Sequence, residues 1–334
     1  MKKPVIFVLI AVVLAGAVWF ASTKNFFRKE VAQPVKIGIL FKGNNFKQVA
    51  DGFVAGFNEN LPKGHQVEFV IKNETGSEQK DFDASAQGLV DNGVNLIVAI
   101  GVEPVKAAKK VTAENKIPVI LELGVNPETQ GFVQSFQRPG GNLTGISWQV
   151  EELTGKRLEF LKMVDPQVKR ITIFRRKGAD IMSMSLGHLT PVAEKLGVSV
   201  AIKEFSTLEE LQAAVLATTA ADTDAFFYAS DPFVQRNGEF IIKHALEEKI
   251  AVMFHDEYFA KLGATASYGA NFPDAGKQGA RLASKILFEG QSPAELPIET
   301  VSKIDFAINL ASAKAIGISV PDEALSLAQV VINK

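Results

Sequence analysis

The side chains that most often carry catalysis or hold metal ions are few in this chain and unfavourably spaced. Its 334 residues include no cysteine, which excludes disulfides, thiolate metal sites and a cysteine nucleophile. The four histidines, His65, His188, His244 and His255, are far apart and form no HExxH motif. No G-x-S-x-G nucleophile elbow occurs. We therefore expect binding without chemistry, with no catalytic residue, no metal and no cofactor.

The glycine spacing matches neither of the common nucleotide-binding loops. Residues 269–277 have the wrong glycine spacing for a phosphate-binding loop, and Gln278 stands where a Ser or Thr would be needed. After the first predicted strand, Gly43-Asn44-Asn45 leads into a helix without the dinucleotide-type glycine triplet. A formal net charge of −1 gives no electrostatic reason to expect nucleic acid as a partner.

The ends of the predicted strands carry the residues best suited to hold a small ligand. In parallel α/β sheets, ligands bind beyond the carboxyl ends of the strands, where the N–H groups of the following helices can receive an anion. The strand-end loops are Lys42–Asn45, Gly101–Pro104, Gly124–Pro127, Arg175–Ser183, Ala229–Pro232 and His255–Tyr258. The candidate ligand-binding residues in or near them are Phe41, Asn44, Asn45, Gly101, Val102, Glu103, Val125, Asn126, Trp148, Phe174, Arg175, Ser183, Tyr228, Asp231, Asp256, Tyr258 and Tyr268.

Three of these assignments have a structural alternative. Asp231 could pair with a cationic amine of the ligand or cap the helix that begins at Pro232, and the two roles are compatible. The aromatic candidates could form a cleft wall or belong to the core, where most of the 24 phenylalanines must lie. The cationic run Arg175-Arg176-Lys177 is either a solvated rim or an anion-binding feature.

Apolar strand-like runs alternate with helix-like stretches after residue 34, which is typical of a parallel α/β fold. The predicted strands are Val35–Phe41, Gln66–Lys72, Leu96–Ile100, Pro118–Leu123, Arg170–Phe174, Ser199–Glu204, Ala225–Tyr228, Ala251–Phe254 and Ala264–Tyr268. The predicted helices are Phe46–Asn60, Glu78–Asn92, Pro104–Asn115, Glu151–Val164, Ser185–Leu196, Leu208–Thr219, Phe233–Glu248, Asp274–Glu289 and Leu310–Ile316. Because the same rhythm occurs twice with different sequences, we predict two doubly wound, Rossmann-like lobes.

The N-terminus indicates export from the cytoplasm. Lys2 and Lys3 precede an uncharged, mostly apolar run, residues 4–23. The run lies between the length of a cleavable signal core and that of a membrane-spanning helix. Trp19 and Phe20 near its outer end favour an uncleaved membrane anchor over a cleaved signal peptide. We therefore expect the remaining chain in the periplasm or on the outer face of the cytoplasmic membrane.

Two segments of the chain resemble one family of bacterial proteins. Residues 116–146 read KIPVILELGVNPETQGFVQSFQRPGGNLTGI, and residues 263–332 begin GATASYGANFPDAGKQGARLASKILFEGQSPAELPIE and end INLASAKAIGISVPDEALSLAQVVI. The combination of RPGGN-x-TG, A-x-YG and AK-A-x-G-I-x-x-P resembles the ABC-transporter substrate-binding family that includes tryptophan- and tyrosine-type binding proteins. The resemblance extends from residue 35 to the C-terminus and is strongest in these two segments.

The resemblance implies a periplasmic-binding-protein type I fold, in which two lobes are joined by a three-stranded hinge. The first lobe is expected to comprise residues 35–144 plus 259–291, and the second residues 145–258 plus 292–334. The expected hinge residues are Thr144, Gly145, Tyr258 and Gly290.

The resemblance also implies a function, namely solute binding for an ABC importer by hinge closure. The partners would be a small organic solute, an ABC permease with its ATPase subunit, and the membrane through the N-terminal segment; the protein would be monomeric. Val102 stands where the family commonly has Thr, and Asn126 where it has Asp, so the solute could be an amino acid or an aromatic compound. Ser183 or Ser185 is the only equivalent of the family's Asn-Ser pair. The alternative is a membrane-tethered ligand-sensing module with the same fold.

Overall fold

The chain forms two α/β lobes, each built around a mostly parallel sheet with helices on its faces. A computed structural model describes residues 34–76, 78–148, 152–178 and 180–333, and for residues 180–183 it describes the backbone alone. Among the described helices, none is long and apolar enough to cross a membrane. The predicted anchor, residues 4–23, lies outside the described residues.

The first lobe contains a sheet of six described strands that are all parallel. The strands are β1 (Val35–Phe41), β2 (Val67–Asn73), β3 (Leu96–Ile100), β4 (Val119–Gly124), β5 (Leu143–Ser147) and β11 (Glu299–Thr300). Their order across the sheet is β11-β5-β4-β3-β1-β2. Its helices are α1 (Asn44–Glu59), α2 (Gln79–Asp91), α3 (Val102–Val111) and α10 (Phe272–Glu289).

The second lobe contains a sheet of seven described strands in the order β13-β12-β10-β9-β8-β6-β7. The strands are β6 (Arg170–Arg176), β7 (Ser199–Phe205), β8 (Ala225–Phe227), β9 (Ala251–Phe254), β10 (Ala266–Ala270), β12 (Ile304–Asn309) and β13 (Val330–Ile332). The β10–β12 pair is antiparallel. The helices are α4 (Thr154–Val164), α5 (Asp180–Leu196), α6 (Leu208–Leu216), α7 (Pro232–Arg236), α8 (Gly238–Glu248), α9 (Glu257–Lys261), α11 (Leu310–Ala315) and α12 (Asp322–Leu327).

The apolar face predicted for α1 is a core face. Val49, Phe53 and Phe57 recur at helical spacing and are fully buried, whereas Phe46 is half-buried. Phe53 and Phe57 stack with ring centroids 5.9 Å apart and pack on the strands of the first sheet. Full burial of one phenylalanine side chain stabilises the fold by about 1.5–3 kcal/mol. This aromatic stripe therefore holds α1 against the sheet.

Helix α10 packs on α1 with its backbone in direct contact, although α10 follows the strands of the second lobe in sequence. A Cβ atom at Gly52 would lie 2.2 Å from the Pro273 carbonyl oxygen, and one at Gly276 would lie 2.1 Å from that of Val49. Such distances are impossible for a larger residue without displacement of one helix. The two glycines therefore allow α10 to complete the first lobe.

Glu122 of β4 is buried beneath α10 in the first lobe. It is fully buried, and neither carboxyl oxygen has a hydrogen-bond partner among the described atoms. A Cβ atom at Gly279 of α10 would lie 1.6 Å from Glu122 Oε1, so the helix backbone covers the carboxyl group closely. Burial raises the pKa of Glu122 well above its ordinary value, because the charged form loses its hydration.

The chain crosses between the lobes three times, and the strand pairing places these crossings differently from the prediction. The crossings follow Trp148, Ala270 and Thr300, since β5 and β11 belong to the first sheet and β10 and β12 to the second. The prediction that residues 259–291 belong to the first lobe is wrong for β10, which pairs with β9 and β12. The prediction that residues 292–334 belong to the second lobe is wrong for β11, which pairs with β5.

Of the four predicted hinge residues, Thr144 and Gly145 lie shortly before the first crossing, and Tyr258 and Gly290 lie farther from the other two. Thr144 and Gly145 are buried inside β5. A Cβ atom at Gly145 would lie 2.0 Å from the Leu121 carbonyl oxygen, so the absence of a side chain there lets β5 pack closely against β4. Tyr258 lies in α9 of the second lobe. Gly290 ends α10 in the left-handed conformation, with φ 69°. The two glycines among these residues therefore have structural roles: Gly290 ends a helix, and Gly145 lets two strands approach closely.

One predicted helix is divided in the structure. The predicted helix Phe233–Glu248 is broken at Asn237 into α7 and α8, and Asn237 Nδ2 donates to the Phe233 carbonyl oxygen at 2.8 Å. This side-chain hydrogen bond replaces a continuing helical turn. The break matters for function because α7 ends at the mouth of the cavity described next.

Candidate ligand-binding cleft

A cavity of about 520 Å³ lies between the carboxyl edges of the two sheets, and we call it the interlobe cleft. This volume is typical of sites that hold small organic molecules. The first lobe lines it with Lys42, Asn45, Phe46, Phe82, Ile100, Gly101, Val102, Glu103, Pro104, Leu123, Val125, Asn126, Thr129, Gln130 and Trp148. The second lobe lines it with Arg176, Gly178, Met184, Pro232, Gln235 and Arg236.

The cleft lies where the topology of both sheets predicts a ligand site. The orders β2-β1-β3-β4-β5 and β7-β6-β8-β9-β10 reverse direction between β1 and β3 and between β6 and β8. In open α/β sheets, ligands bind outside the carboxyl ends of the strands at such switch points. Lys42 and Gly101 directly follow β1 and β3, Arg176 ends β6, and Pro232 begins the helix α7 that follows β8, so both switch points face the same cavity.

Unusual backbone conformations occur in the strand-end loops that form the cleft. Leu123, Asn126 and Ser230 have φ values of 54°, 46° and 54°, in the left-handed region. At Leu123 the pairing of β4 with β5 shifts register, which is a β-bulge. Conformations of this kind cost about 1–3 kcal/mol each and are retained mostly at functional sites. Two of these residues, Leu123 and Asn126, contribute directly to the cleft wall.

Seven of the predicted site residues lie together in the cleft lining, all of them from the first lobe. They are Asn45, Gly101, Val102, Glu103, Val125, Asn126 and Trp148. These seven residues lie at or near the ends of β1, β3, β4 and β5, and their contact with a ligand stays a prediction.

Other predicted site residues are core or helix-cap residues outside the cavity lining. Phe41, Phe174 and Tyr228 are buried in the hydrophobic clusters, as their structural alternative required. Asp231 is fully buried and caps α7, accepting from the N–H groups of Phe233 and Val234. Its other oxygen accepts from the Arg176 N–H at 2.9 Å. The capping role offered for Asp231 is therefore present, while its carboxylate lies outside the described cavity lining and its contact with a ligand amine stays a prediction.

Five more predicted site residues lie outside the described lining, namely Asn44, Arg175, Asp256, Tyr258 and Tyr268. Asp256 caps α9 through the Tyr258 N–H. Asn44 is exposed, and Arg175 approaches Glu204 at 3.9 Å between nitrogen and oxygen. Tyr268 packs on Phe160 with ring centroids 4.5 Å apart, and the Ser183 side chain lies outside the described atoms.

The charged side chains of the described cleft lining are three cations and one carboxylate. Lys42 donates to the Gly76 carbonyl oxygen and lies 6.0 Å from the Phe82 ring centroid. The Arg176 and Arg236 guanidinium carbons lie 5.9 and 5.6 Å from the centroid of one ring, that of Phe233. Neither arginine forms an ion pair with a described carboxylate, in contrast to Arg170 and Arg281.

A buried polar layer of the second lobe lies beneath Trp148. The His255 ring packs 5.1 Å from Trp148 and 4.2 Å from Tyr228, measured between centroids. Burial lowers the pKa of His255 despite the neighbouring Asp256, so the imidazole is neutral at pH 7. Burial also lowers the pKa of Arg157 to about 10, and its Nε donates to the Tyr268 carbonyl oxygen at 3.0 Å. Arg157 therefore remains a cation at neutral pH and holds the loop ends of the second sheet together.

Comparison with known proteins identifies the family. The sequence model for the ABC transporter substrate binding protein family matches residues 34–332. The chain belongs to this family. Proteins of the family are extracytoplasmic, non-enzymatic binding proteins for small solutes that work with an ABC permease and its ATPase. The resemblance inferred from two sequence segments is thereby confirmed.

Individual relatives of this substrate-binding protein share its fold over nearly their whole length. A tyrosine-binding protein from Clostridioides difficile strain R20291 is 26% identical over 285 residues, which are 84% of this chain and 80% of the relative. The ABC domain in complex with L-Trp from Streptococcus pneumonia superposes with a TM-score of 0.77 and 22% identity, covering 90% of this chain and 100% of that one. The ligand-free, open structure of a substrate-binding protein with adhesive properties from Clostridium difficile superposes with a TM-score of 0.67 and 25% identity. It covers 90% of this chain and 100% of that one.

Several cleft residues of this substrate-binding protein were not predicted from its sequence. Phe82 lies on the apolar face of α2, where it is indistinguishable from a core residue, and Phe46 was assigned to the core face of α1. Arg236 lies at the end of α7, which the pattern merged with α8. Arg176 belongs to the cationic run whose role was open between a rim and an anion site, and its presence in the cleft lining agrees with the second alternative.

Proposed function

We propose that this protein is the solute receptor of an ABC importer and holds a small organic solute, an amino acid or an aromatic compound, in the interlobe cleft. The observation that carries the proposal is the cavity of about 520 Å³ walled by the switch points of both lobes. A solute bound there would contact both lobes at once, so binding favours the closed arrangement of the lobes.

The apolar wall of the cleft supports an aromatic solute. Phe46, Phe82 and Trp148 line one side, and Met184 faces them from the second lobe. Aromatic side chains and a flexible thioether form favourable contacts with a planar ring. Relatives described as tyrosine-binding and as a complex with L-Trp give independent support for an aromatic solute.

Contacts across the mouth of the cleft support closure of the lobes as the capture step. Asn126 Nδ2 of the first lobe lies 3.4 Å from Met184 Sδ of the second. Met184 is 46% exposed, which is high for so large an apolar side chain, and its position at the mouth lets it cover a solute. The three crossings, after Trp148, Ala270 and Thr300, are the segments about which the lobes would rotate.

Attachment to the outer face of the cytoplasmic membrane is part of the proposal. The run of residues 4–23 would anchor the chain, and residues 24–34 would serve as a polar link to the first lobe. Tethering keeps the receptor at a high effective concentration near a permease in the same membrane.

Calorimetric titration of the purified full-length protein tests the proposal. Tryptophan, tyrosine and aromatic acids would be titrated one at a time, with glucose as an unrelated control. We expect one site per chain for at least one aromatic solute, with no turnover of that solute over hours. Absence of binding across the panel, or conversion of a solute to product, would overturn the proposal.

A further inference from the structure

We infer that the solute is an organic anion without a free ammonium group, that is, a carboxylate carried on an aromatic body, and that Arg176 and Arg236 receive its carboxylate. The inference rests on the proposed solute-receptor function and specifies the class of solute. It departs from the zwitterionic amino acids that the names of two relatives suggest.

The charge balance of the cleft is the first observation. Lys42, Arg176 and Arg236 line it, and Glu103 is the only described carboxylate that does. Lys42 and Arg176 are half-buried and Arg236 is exposed. A zwitterionic amino acid adds no net charge and would leave the positive charge of the two half-buried cations uncompensated. A carboxylate without an ammonium group reduces the excess and gains attraction from all three cations.

The positions of the two arginines are the second observation. One buried carboxylate, Asp231, fixes the backbone from which both of them project. Its Oδ2 accepts from the Arg176 N–H at 2.9 Å, and its Oδ1 accepts from the Phe233 N–H at 2.8 Å at the start of the helix that ends with Arg236. Both guanidinium groups lie near the same Phe233 ring. Two planar forks held in this way can each donate paired hydrogen bonds to carboxylate oxygens.

The lack of a carboxylate for an ammonium group near the arginines is the third observation: the second-lobe side of the described lining offers the Gln235 amide but no carboxylate. An ammonium group brings three donors, which need acceptors when water is excluded. Asp231 already accepts three backbone hydrogen bonds and is fully buried outside the cavity lining. Glu103 lies on the opposite lobe at the first turn of α3 and is exposed. An ammonium group next to the carboxylate of the same ligand would therefore lie beside the arginines and away from Glu103.

Three ligands that share one indole body test this inference in the full-length protein. They are indole-3-propanoate, L-tryptophan and tryptamine, compared by calorimetric titration at pH 7. We expect indole-3-propanoate to bind at least tenfold more tightly than L-tryptophan, and tryptamine to give no measurable binding. Tighter binding of L-tryptophan than of indole-3-propanoate would overturn the inference and leave the proposed function intact. Failure of every aromatic solute would overturn both.

Arginine variants add an independent test. Arg176→Gln combined with Arg236→Gln should weaken indole-3-propanoate binding at least thirtyfold. Arg138→Gln removes one positive charge from an exposed loop outside the cavity lining and serves as the control for an effect of charge alone. Glu103→Gln should leave indole-3-propanoate binding unchanged or strengthen it; a selective loss of L-tryptophan binding in this variant would instead identify Glu103 as an ammonium partner and contradict the inference. Because the ligand series uses the unmodified chain, it decides the matter even if the double variant folds poorly.

Discussion

Trp148 and His255 pack against each other across the junction of the two lobes, with ring centroids 5.1 Å apart. Trp148 is the last described residue before the first crossing, and His255 directly follows β9 of the second sheet. Phe272, which begins α10 after the second crossing, packs edge-on against Trp148 at 5.6 Å. Two of the three crossings therefore meet at one aromatic side chain that also forms part of the cleft wall.

Truncation of Trp148 should impair both stability and binding. Trp148→Ala removes a buried ring from the junction, and loss of such a ring typically costs about 3–5 kcal/mol of unfolding free energy. We expect at least a tenfold loss of affinity for an aromatic solute, measured by calorimetry, with denaturant unfolding measured alongside. Trp148→Phe keeps an aromatic contact with His255 and should lose much less of both. Equal affinity in the alanine variant and the natural chain would show that Trp148 is no part of the binding wall.

The buried Glu122 should make the protein less stable as the pH rises. The folded-state pKa of Glu122 is raised above that of the unfolded chain, so the folded state binds the proton more tightly. The stability contributed by the protonated group is complete below the unfolded pKa, about 4.3, and is lost as the pH rises from there through the folded pKa.

Substitution of Glu122 by Gln tests this pH dependence. Glu122→Gln should be more stable than the natural chain at pH 8 by at least about 1 kcal/mol, with the difference disappearing near pH 4, because each pH unit of separation between the two pKa values is worth about 1.4 kcal/mol. Urea unfolding at several pH values measures the difference. Glu114→Gln, at an exposed position, is the control and should change little at any pH. A difference that does not vary with pH would contradict the raised pKa.

The contact between α1 and α10 should tolerate no side chain at Gly276. Gly276→Ala would place a Cβ atom 2.1 Å from the Val49 carbonyl oxygen and should destabilise the protein by about 1–3 kcal/mol or more. Gly88→Ala is the matched control, since Gly88 lies in helix α2 with no atom within 4 Å of an added Cβ. This control should stabilise by about 0.5–1 kcal/mol, as Ala does in open helical positions. Thermal unfolding of both variants measures the contrast, and equal effects would refute the tight packing.

Asp231 should affect binding through the arginines that it positions. Asp231→Ala removes a helix cap and the acceptor of the Arg176 N–H, so we expect about 1–2 kcal/mol less stability together with weaker binding of an aromatic carboxylate. Thr207→Ala removes the cap of α6, where the Thr207 hydroxyl accepts from the Glu210 N–H at 3.2 Å. The Thr207→Ala variant should lose a similar amount of stability, but its affinity for the aromatic carboxylate should equal that of the natural chain. If both variants bound alike, the positioning role of Asp231 would be wrong.

The sequence predicted the elements of this fold far better than their assembly. Strands β1, β3 and β9 begin and end at the predicted residues, because buried apolar runs bounded by polar or glycine residues carry their own limits. The sheet to which β10 belongs could not be read in this way. ASYGA is a short buried run that suits either sheet, and only pairing with β9 and β12 decides between them.

The cationic second-lobe side of the cleft could not be predicted from the sequence for a related reason. The link between Asp231 and the Arg176 N–H joins residues 55 positions apart, and local sequence patterns contain no information about such a partner. The end of α7 at Arg236 depends on the Asn237 side chain, which interrupts an otherwise continuous helical pattern. The first-lobe side of the cleft was predicted more completely, since there the ligand residues directly follow the strand ends.

The packing of α10 on α1 sets how much of the chain must be synthesised before the first lobe can be completed. The apolar face of α1 remains uncovered until α10 has been synthesised, about 210 residues later. At an elongation rate of about 5–20 residues per second, this delay is about 10–40 s. By then every strand of the second lobe except β12 and β13 has already emerged. The first lobe can close only after α10 and β11 have been made, and the second only after β12 and β13, so both lobes stay incomplete until the last sixty or so residues are added.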